Sequence, residues 1–587
     1  MGTISDKLMR IINTKEDIRQ ALISKGYDVP TSIPFKEYAK MISDLPCRVD
    51  SFPDIEGIVA RYSALGLTNE QMAANPVWVD KTGNGHDIQL KNFSWKGMSG
   101  VGGYVQDFNY FRNNATVDKI RIDEQGSNFI KVTILTTGIG YAIYIPKNIY
   151  QFNKSYFIKI SSEGYNEGDL SLSFYAPSTS TATTVKVPLN PNGITEIPAI
   201  KEDDFLVVYI NVSGKVGSFT VEQLPLYPGA LVFDGVDDWA GCDNLPLLPK
   251  EKGYSIIALR NWITRYDATK YKRPLISNLD TNDEGAFLIE YRKDENVNDV
   301  TGSYNSFTDV YIDDNNPITW QTSSSYNGQI IKKGTSKSTN KLCICKTYFG
   351  QLSNYANAAI WEIVILDHDA TEEELTKIKD YFVKTYPWLF PDQAWTVVGK
   401  TNEDEDRATI ANITGNGNDL VLSNFGFAEG SGYNEEGEYA GYLVTDGVDD
   451  KIISSIFKMG NDWTVIGDWE LINTGKNDNA GIVKFDSIVI YNYNSVLINI
   501  KNGRNILIPD QNTVNAICSD GRIYSKDWKE SIYNEETEST SKNFLTIGYS
   551  GNAYTKIAFK NLAIYPTVLS REDCIKAYNY LQTLKAK

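Results

Sequence analysis

The chain repeats itself, and the repeat limits what it can fold into more than any other feature. Thr82-Gly83-Asn84-Gly85-His86-Asp87-Ile88-Gln89-Leu90-Lys91-Asn92-Phe93 returns as Thr414-Gly415-Asn416-Gly417-Asn418-Asp419-Leu420-Val421-Leu422-Ser423-Asn424-Phe425. Asp234-Gly235-Val236-Asp237-Asp238 returns as Asp446-Gly447-Val448-Asp449-Asp450, and Ile363–Phe382 is matched by Leu562–Leu581. Three landmarks in one order mark a duplicated domain, an arrangement that suits display or binding better than a single active site. The spacing differs in one place. Thr414 and Asp446 are 32 residues apart, whereas Thr82 and Asp234 are 152 apart. The excess is the size of a small domain, so the first copy is read as interrupted by an inserted module.

At 587 residues, the length suggests about four domains. The net charge is −17 and no Lys/Arg cluster occurs, which argues against a nucleic-acid-binding surface. No run of 18 or more apolar residues and no apolar leader is present, so neither membrane insertion nor a secretory signal is expected. Six scattered cysteines read as buried free thiols of a protein made in a reducing cytosol. Cys343-Ile344-Cys345 has no partner pair or nearby His to complete a zinc site.

Local patterns divide the chain. Residues 1–50 read as a short helical module, with Ile4, Leu8, Ile11, Ile18 and Leu22 on its apolar faces. Residues 104–228 alternate apolar and polar in short runs, such as Ile130, Val132, Ile134 and Leu170, Leu172, Phe174, the pattern of an antiparallel sandwich. Each repeat closes on a strand and one helix, with Thr371/Glu374 and Ser570/Asp573 placed as N-cap and N3 residues.

The closing stretch Ile564-Tyr565-Pro566-Thr567-Val568-Leu569-Ser570-Arg571-Glu572-Asp573 resembles the end of laminin-G-like, concanavalin A-like jelly rolls. Ala230–Asp238 and Asp80–Gly85 resemble the front-end signature of that family. The resemblance implies a mainly β chain of tandem laminin-G-like β-sandwiches, preceded by the short α-helical module. Sandwich 1 spans 51–103 plus 229–390 and sandwich 2 spans 391–587; an inserted, carbohydrate-binding-module-like β-sandwich occupies 104–228. Thr14–Gly26, followed by Val29, Pro34-Phe35 and Tyr38-Ala39, resembles the leader of bacteriophage virion proteins. Head- and tail-fibre or appendage components, including those of Bacteroides-infecting and crAss-like phages, carry such a segment before lectin-like domains. That resemblance implies docking to other virion proteins through residues 1–50, with the hydrophobic residues Ile4, Leu8, Ile11, Ile18 and Leu22 at the contact. It also implies synthesis in the bacterial host cytoplasm and a final place in the virion.

The candidate chemistry is sparse. Three carboxylates in each Asp-Gly-Val-Asp-Asp could ligate calcium, but the glycine and the position between strands favour a structural turn; no other cofactor is expected. A retaining glycosidase needs two carboxylates about 5 Å apart. No Glu-x-Asp-x-x-Glu run is present, and Glu403–Asp406 is contiguous, as in a solvated loop. His86 and His368 are the two histidines, too few for a His-rich metal site, and the Asn418 counterpart of His86 argues against an imidazole role. Trp78, Trp361 and Trp463 lie in apolar runs and are expected in cores, whereas Trp239 and Trp528 read as lying in polar loops and are the candidate glycan-facing residues. The expectation is a non-enzymatic virion fibre subunit, a homodimer or homotrimer, that displays its sandwiches to a host surface glycan. The alternatives are a free-standing carbohydrate-binding adhesin and, further off, a polysaccharide-cleaving enzyme.

Overall fold

Asn357–Leu366 and Ile557–Tyr565 are apolar almost end to end, the composition of strands buried on both faces. In the computed structural model each is the hub of one sandwich. The chain separates into two compact units, residues 1–54 and 55–587. The structure describes residues 52–586 except 178–182, 202–204, 249–250, 438, 456, 459, 461 and parts of 265–353 and 473–552. The helical expectation for 1–50, with Ile4, Leu8, Ile11, Ile18 and Leu22, lies outside the described residues. The second unit is mainly β, built from predominantly antiparallel sheets packed as sandwiches.

The repeat holds down to the register. Ser255–Trp262 pairs with Asn357–Leu366, and Thr464–Leu471 pairs with Ile557–Tyr565. Both ladders carry a bulge at the same point, after Leu259 opposite Glu362 and after Asp468 opposite Asn561. Each hub takes a further strand on its other side, Ile58–Ser63 in one copy and Gln393–Thr396 in the other. A second sheet of eight strands closes each sandwich. Trp78, Trp361 and Trp463 are buried, as expected from their apolar surroundings.

Among the described residues there are three α-helices, α1 (Asn69–Ala74), α2 (Glu372–Thr385) and α3 (Arg571–Leu581). None is long and apolar enough to cross a membrane. Thr371 and Glu374 form a reciprocal capping box on α2, and the Ser570 hydroxyl accepts from the Asp573 amide at the start of α3. α2 lies over the outer face of its hub, where the buried Glu362 carboxylate accepts from Arg61, Tyr381 and Tyr386. α3 buries Cys574, Ala577 and Leu581.

The inserted module enters through one hairpin. In sandwich 2, Gly432–Tyr433 pairs with Leu443–Val444 across a nine-residue connection. In sandwich 1, Gly100–Val101 pairs with Leu231 and Val232, and the connection between them is a whole domain. Gly102 donates to Ala230 O and Tyr227 donates to Gly102 O, so the two ends of the insert leave side by side. Adjacent ends add little loop-closure cost, which is why a domain fits in a hairpin tip. Gly102 has φ +85, and a Cβ there would lie 2.8 Å from Pro225.

The insert is itself a sandwich of two five-stranded antiparallel sheets. One orders Ile194–Ile197, Tyr156–Glu163, Gly217–Gln223, Phe129–Ile134 and Ile120–Gln125. This sheet turns toward sandwich 2, because Phe157, which points out of the insert's own core, meets Tyr578 of α3 edge-on at 5.6 Å. The other orders Val185–Leu189, Leu170–Tyr175, Val207–Val212, Tyr141–Pro146 and Arg112–Asn113.

Candidate functional site

The second sheet of the insert carries an unusual outer face. Strands Tyr141–Pro146 and Val207–Val212 send Ile143, Ile145, Val208, Ile210 and Val212 into the core. The alternate positions, which solvent would normally fill with polar residues, hold tyrosines. Tyr144 stands opposite Tyr209 in the ladder. A bulge at Ile210/Asn211 brings Tyr141 opposite Asn211 and onto the same side. Tyr175, at the end of the neighbouring strand, completes the group.

The four rings gather round Tyr209, with centroids 4.7 Å to Tyr141, 6.1 Å to Tyr144 and 6.2 Å to Tyr175. Tyr141 is 44% exposed and Tyr175 36%, while Tyr144 and Tyr209 are half-buried. Burial, followed by the nearby hydroxyls of Tyr141, Tyr175 and Tyr144, raises the Tyr209 phenol above its ordinary value. Asn211 sits among them. Its Nδ2 donates to Ser173 Oγ at 2.6 Å, while its Oδ1 has no hydrogen-bond partner. Together the rings make a flat amphipathic platform bearing phenol hydroxyls, the chemistry that packs against a sugar ring and bonds its hydroxyls.

The residues expected to face glycan fare differently. Trp528 is completely buried, which corrects the expectation that it faces solvent. Its polar neighbours hid a position with φ +57 that turns the indole inward between Tyr524 and Tyr578. Tyr578 in turn meets Phe157, so Trp528 supports the contact between sandwich 2 and the insert. Trp239 lies on the strand Trp239–Cys242, half-buried, rather than in a loop. The Lys346 ammonium sits 4.0 Å from its ring centre and Phe349 meets it edge-on, which leaves it a poor platform. The tyrosines were missed because the sequence reading weighed tryptophans in polar stretches. The signal was present in Tyr141-Ala142-Ile143-Tyr144-Ile145 and Val207-Val208-Tyr209-Ile210-Asn211, where tyrosine takes the outward phase of an alternating strand.

A second concavity of about 830 Å³ opens between the sandwiches, lined by Trp320, Leu375, Lys379, Phe390, Asn416 and Tyr580 among others. Its volume suits a ligand, but two of its polar side chains already serve the fold. Asp369 accepts from the Ser323 amide and hydroxyl, and Asn416 Nδ2 donates to Asp392 O. It is the weaker of the two candidates.

The two aspartate clusters are turns. Asp234 Oδ1 accepts from the amides of Val236, Asp237 and Asp238, and Asp238 Oδ2 accepts from the Asp234 amide. The second copy repeats all four bonds with Asp446, Val448, Asp449 and Asp450. Gly235 and Gly447 take φ +75 and +76. The three carboxylates of each cluster offer oxygens within 4.8 Å of one another, but two of them already accept from backbone amides. Burial raises Asp238 to about 7 and Asp450 to about 6, a setting that disfavours charge.

His368 bonds Asp367 and Glu374 at the head of α2. Burial pushes its imidazole down, and those two carboxylates outweigh this to leave it above the ordinary value. His86 accepts from Tyr62 through its carbonyl. Among the described residues neither joins a nucleophile to form a catalytic constellation. Cys242, Cys343, Cys345, Cys518 and Cys574 are free and buried.

No protein-family model matches the chain, and no curated protein matches it. Solved structures that follow part of its course include the Trypanosoma rangeli sialidase in complex with sialic acid. That match has 9% identity over 78% of this chain and 82% of the sialidase, with a TM-score of 0.25. The binding domain of Botulinum neurotoxin DC in complex with rat synaptotagmin II matches with 9% identity over 58% and 90%, TM-score 0.21. The N-terminal CBM22-1-CBM22-2 tandem domain from Paenibacillus barcinonensis Xyn10C matches with 9% identity over 47% and 99%, TM-score 0.14. Likenesses of this depth carry no argument about ligand or activity.

Proposed function

We propose that this chain is a non-enzymatic display protein of a bacteriophage particle, a head- or tail-fibre or appendage subunit that binds a glycan of the host surface. The observation that carries the binding half is the tyrosine face, four rings on one outward sheet around Asn211. The two aspartate clusters support the non-enzymatic half, because Asp234 and Asp446 hold turns and burial raises Asp238 and Asp450. The virion half rests on the leader resemblance at residues 14–39 and on the duplicated sandwiches. A fibre subunit of this kind would assemble as a homodimer or homotrimer.

The test of binding is retention of the full chain and of Tyr209→Ala on immobilised bacterial capsular polysaccharides. Retention of the parent and its loss in the variant, with an unchanged melting curve, supports the reading. Equal retention of both overturns the assignment of the site. Deleting residues 1–50 separates the fibre from the free-standing adhesin: a truncated chain that still binds glycan but no longer enters particles fits the fibre, and one that enters particles normally refutes docking through that segment.

A further inference from the structure

We infer that the tyrosine face takes acidic glycans, polysaccharides bearing carboxylate groups, and reads their charge with Arg112 and Lys186. The inference rests on the tyrosine face being a glycan site. It follows from what stands at the two edges of the same sheet.

Register places five residues in one row across the strands. Arg112 pairs with Tyr144, Tyr144 with Tyr209, Tyr209 with Ser173 and Ser173 with Lys186. The row spans four strand intervals, about 19 Å between its outer backbones at about 4.8 Å each. Its middle is aromatic and its two ends are cations. Both end residues are exposed. The Arg112 guanidinium is anchored through Nη1 to the carbonyls of Asn109 and Phe111, which holds it at the sheet edge and leaves Nη2 free to donate. Among the described residues Lys186 forms no ion pair. A cation that is positioned yet unpaired at the rim of an aromatic platform is a ready partner for a ligand carboxylate.

The outward positions of this sheet hold no carboxylate among the described residues. From Arg112 through Tyr144, Tyr209, Asn211 and Ser173 to Lys186 they are basic, aromatic or neutral. The nearby Asp169 is neutralised by Lys215 at 2.6 Å. This stands against a chain with 74 acidic and 57 basic residues and a net charge of −17. An acidic polymer is repelled by such a chain at long range, so its recognition needs a face cleared of carboxylates and edged with cations. A neutral polysaccharide would need neither.

Affinity electrophoresis of the full chain tests this with polygalacturonate, alginate and hyaluronan as acidic probes and dextran and carboxyl-reduced polygalacturonate as neutral ones. The expected result is retardation by at least one acidic probe, weakening steeply with salt, and none by the carboxyl-reduced polymer. Arg112→Gln with Lys186→Gln should weaken acidic binding by about tenfold or more, as expected when two charge-assisted contacts are lost. Tyr209→Ala should abolish it. The melting curve of the double charge variant should match the parent, since both edge residues are exposed. Equal binding of acidic and neutral probes, unaffected by the double charge variant but lost in Tyr209→Ala, overturns the charge selectivity and leaves the glycan reading standing. Acidic binding indifferent to all the variants overturns both, as does binding of no probe.

Discussion

Asp238 and Asp450 should make this protein less stable as pH rises through neutrality, the reverse of the usual behaviour of a carboxylate. Both side chains are fully buried at equivalent turns. Burial lifts them to about 7 and about 6, from an unfolded value of about 3.9. A carboxyl raised in the folded state binds its proton more tightly there than in the unfolded chain. Its stabilising contribution is complete below about pH 4 and is lost as pH climbs through the folded value. At pH 8 both groups must ionise inside the fold. The cost is at most about 4 kcal/mol for Asp238 and about 3 kcal/mol for Asp450, from 1.36 kcal/mol for each pH unit between folded and unfolded values.

Asn is the informative replacement, because its side-chain oxygen can still accept from the Asp234 or Asp446 amide. Its amide also supplies protons where Asp238 Oδ1 and Asp450 Oδ1 now have no partner. In thermal melts, Asp238→Asn with Asp450→Asn should exceed the parent by about 5 °C or more at pH 8 and match it within about 2 °C at pH 4, at the few degrees per kcal/mol of a domain this size. An equal gap at both pH values would refute the burial argument. So would a calcium-dependent rise in the parent's melting temperature at pH 8, since a bound cation favours ionised carboxylates and would make the clusters metal sites.

Four further outcomes follow from the packing. Glu362→Ala should cost about 3–5 kcal/mol in denaturant unfolding, because it strands the buried Arg61 guanidinium; a cost under 1 kcal/mol would show that water reaches Arg61. Trp528→Ala should cost about 3–5 kcal/mol and raise protease sensitivity between insert and sandwich 2, while leaving binding of a short soluble glycan fragment per folded molecule unchanged, contrary to a glycan-facing role. Gly447→Ala should destabilise by at least about 1 kcal/mol, since a Cβ at φ +76 would meet Lys556 N at 3.0 Å; a neutral effect would mean the turn adapts. Tyr209→Ala should leave the melting temperature close to that of the parent while removing polysaccharide retention, and a large stability loss would mark the tyrosines as structural.

What the sequence disclosed was local. Thr371 with Glu374 and Ser570 with Asp573 announce helix starts because a cap is an interaction over three residues. Asp234 to Asp238 announces a turn because its bonds close within five residues. Comparing two copies exposed the insertion, since 9 residues in one hairpin face a domain in the other. Exposure was not legible in the same way. Trp528 sits in a polar stretch and is buried against Tyr578, fifty residues on, which itself meets Phe157 of another sandwich. The tyrosine face failed to register for the complementary reason. Tyr141, Tyr175 and Tyr209 are far apart in sequence, and only the strand order of the insert makes them neighbours.

The orientation of the insert bears on the proposed binding as much as its chemistry does. Its two sheets have opposite assignments. One gives Phe157 to the contact with α3, and the other gives its tyrosines to solvent. The insert is tied at its roots by the paired hairpin strands of sandwich 1 and at its flank by sandwich 2. Three attachments of this kind remove the freedom that a domain on two flexible linkers would keep. A site held in a fixed direction loses less entropy when several copies engage one polymer, so a weak platform on an oligomer can hold a surface firmly. On this reasoning Phe157→Ala, which loosens the flank and leaves every tyrosine in place, should weaken retention of the oligomer on a dense polysaccharide surface more than binding to a short soluble fragment. Equal losses in the two assays would show that the docking of the insert serves stability alone.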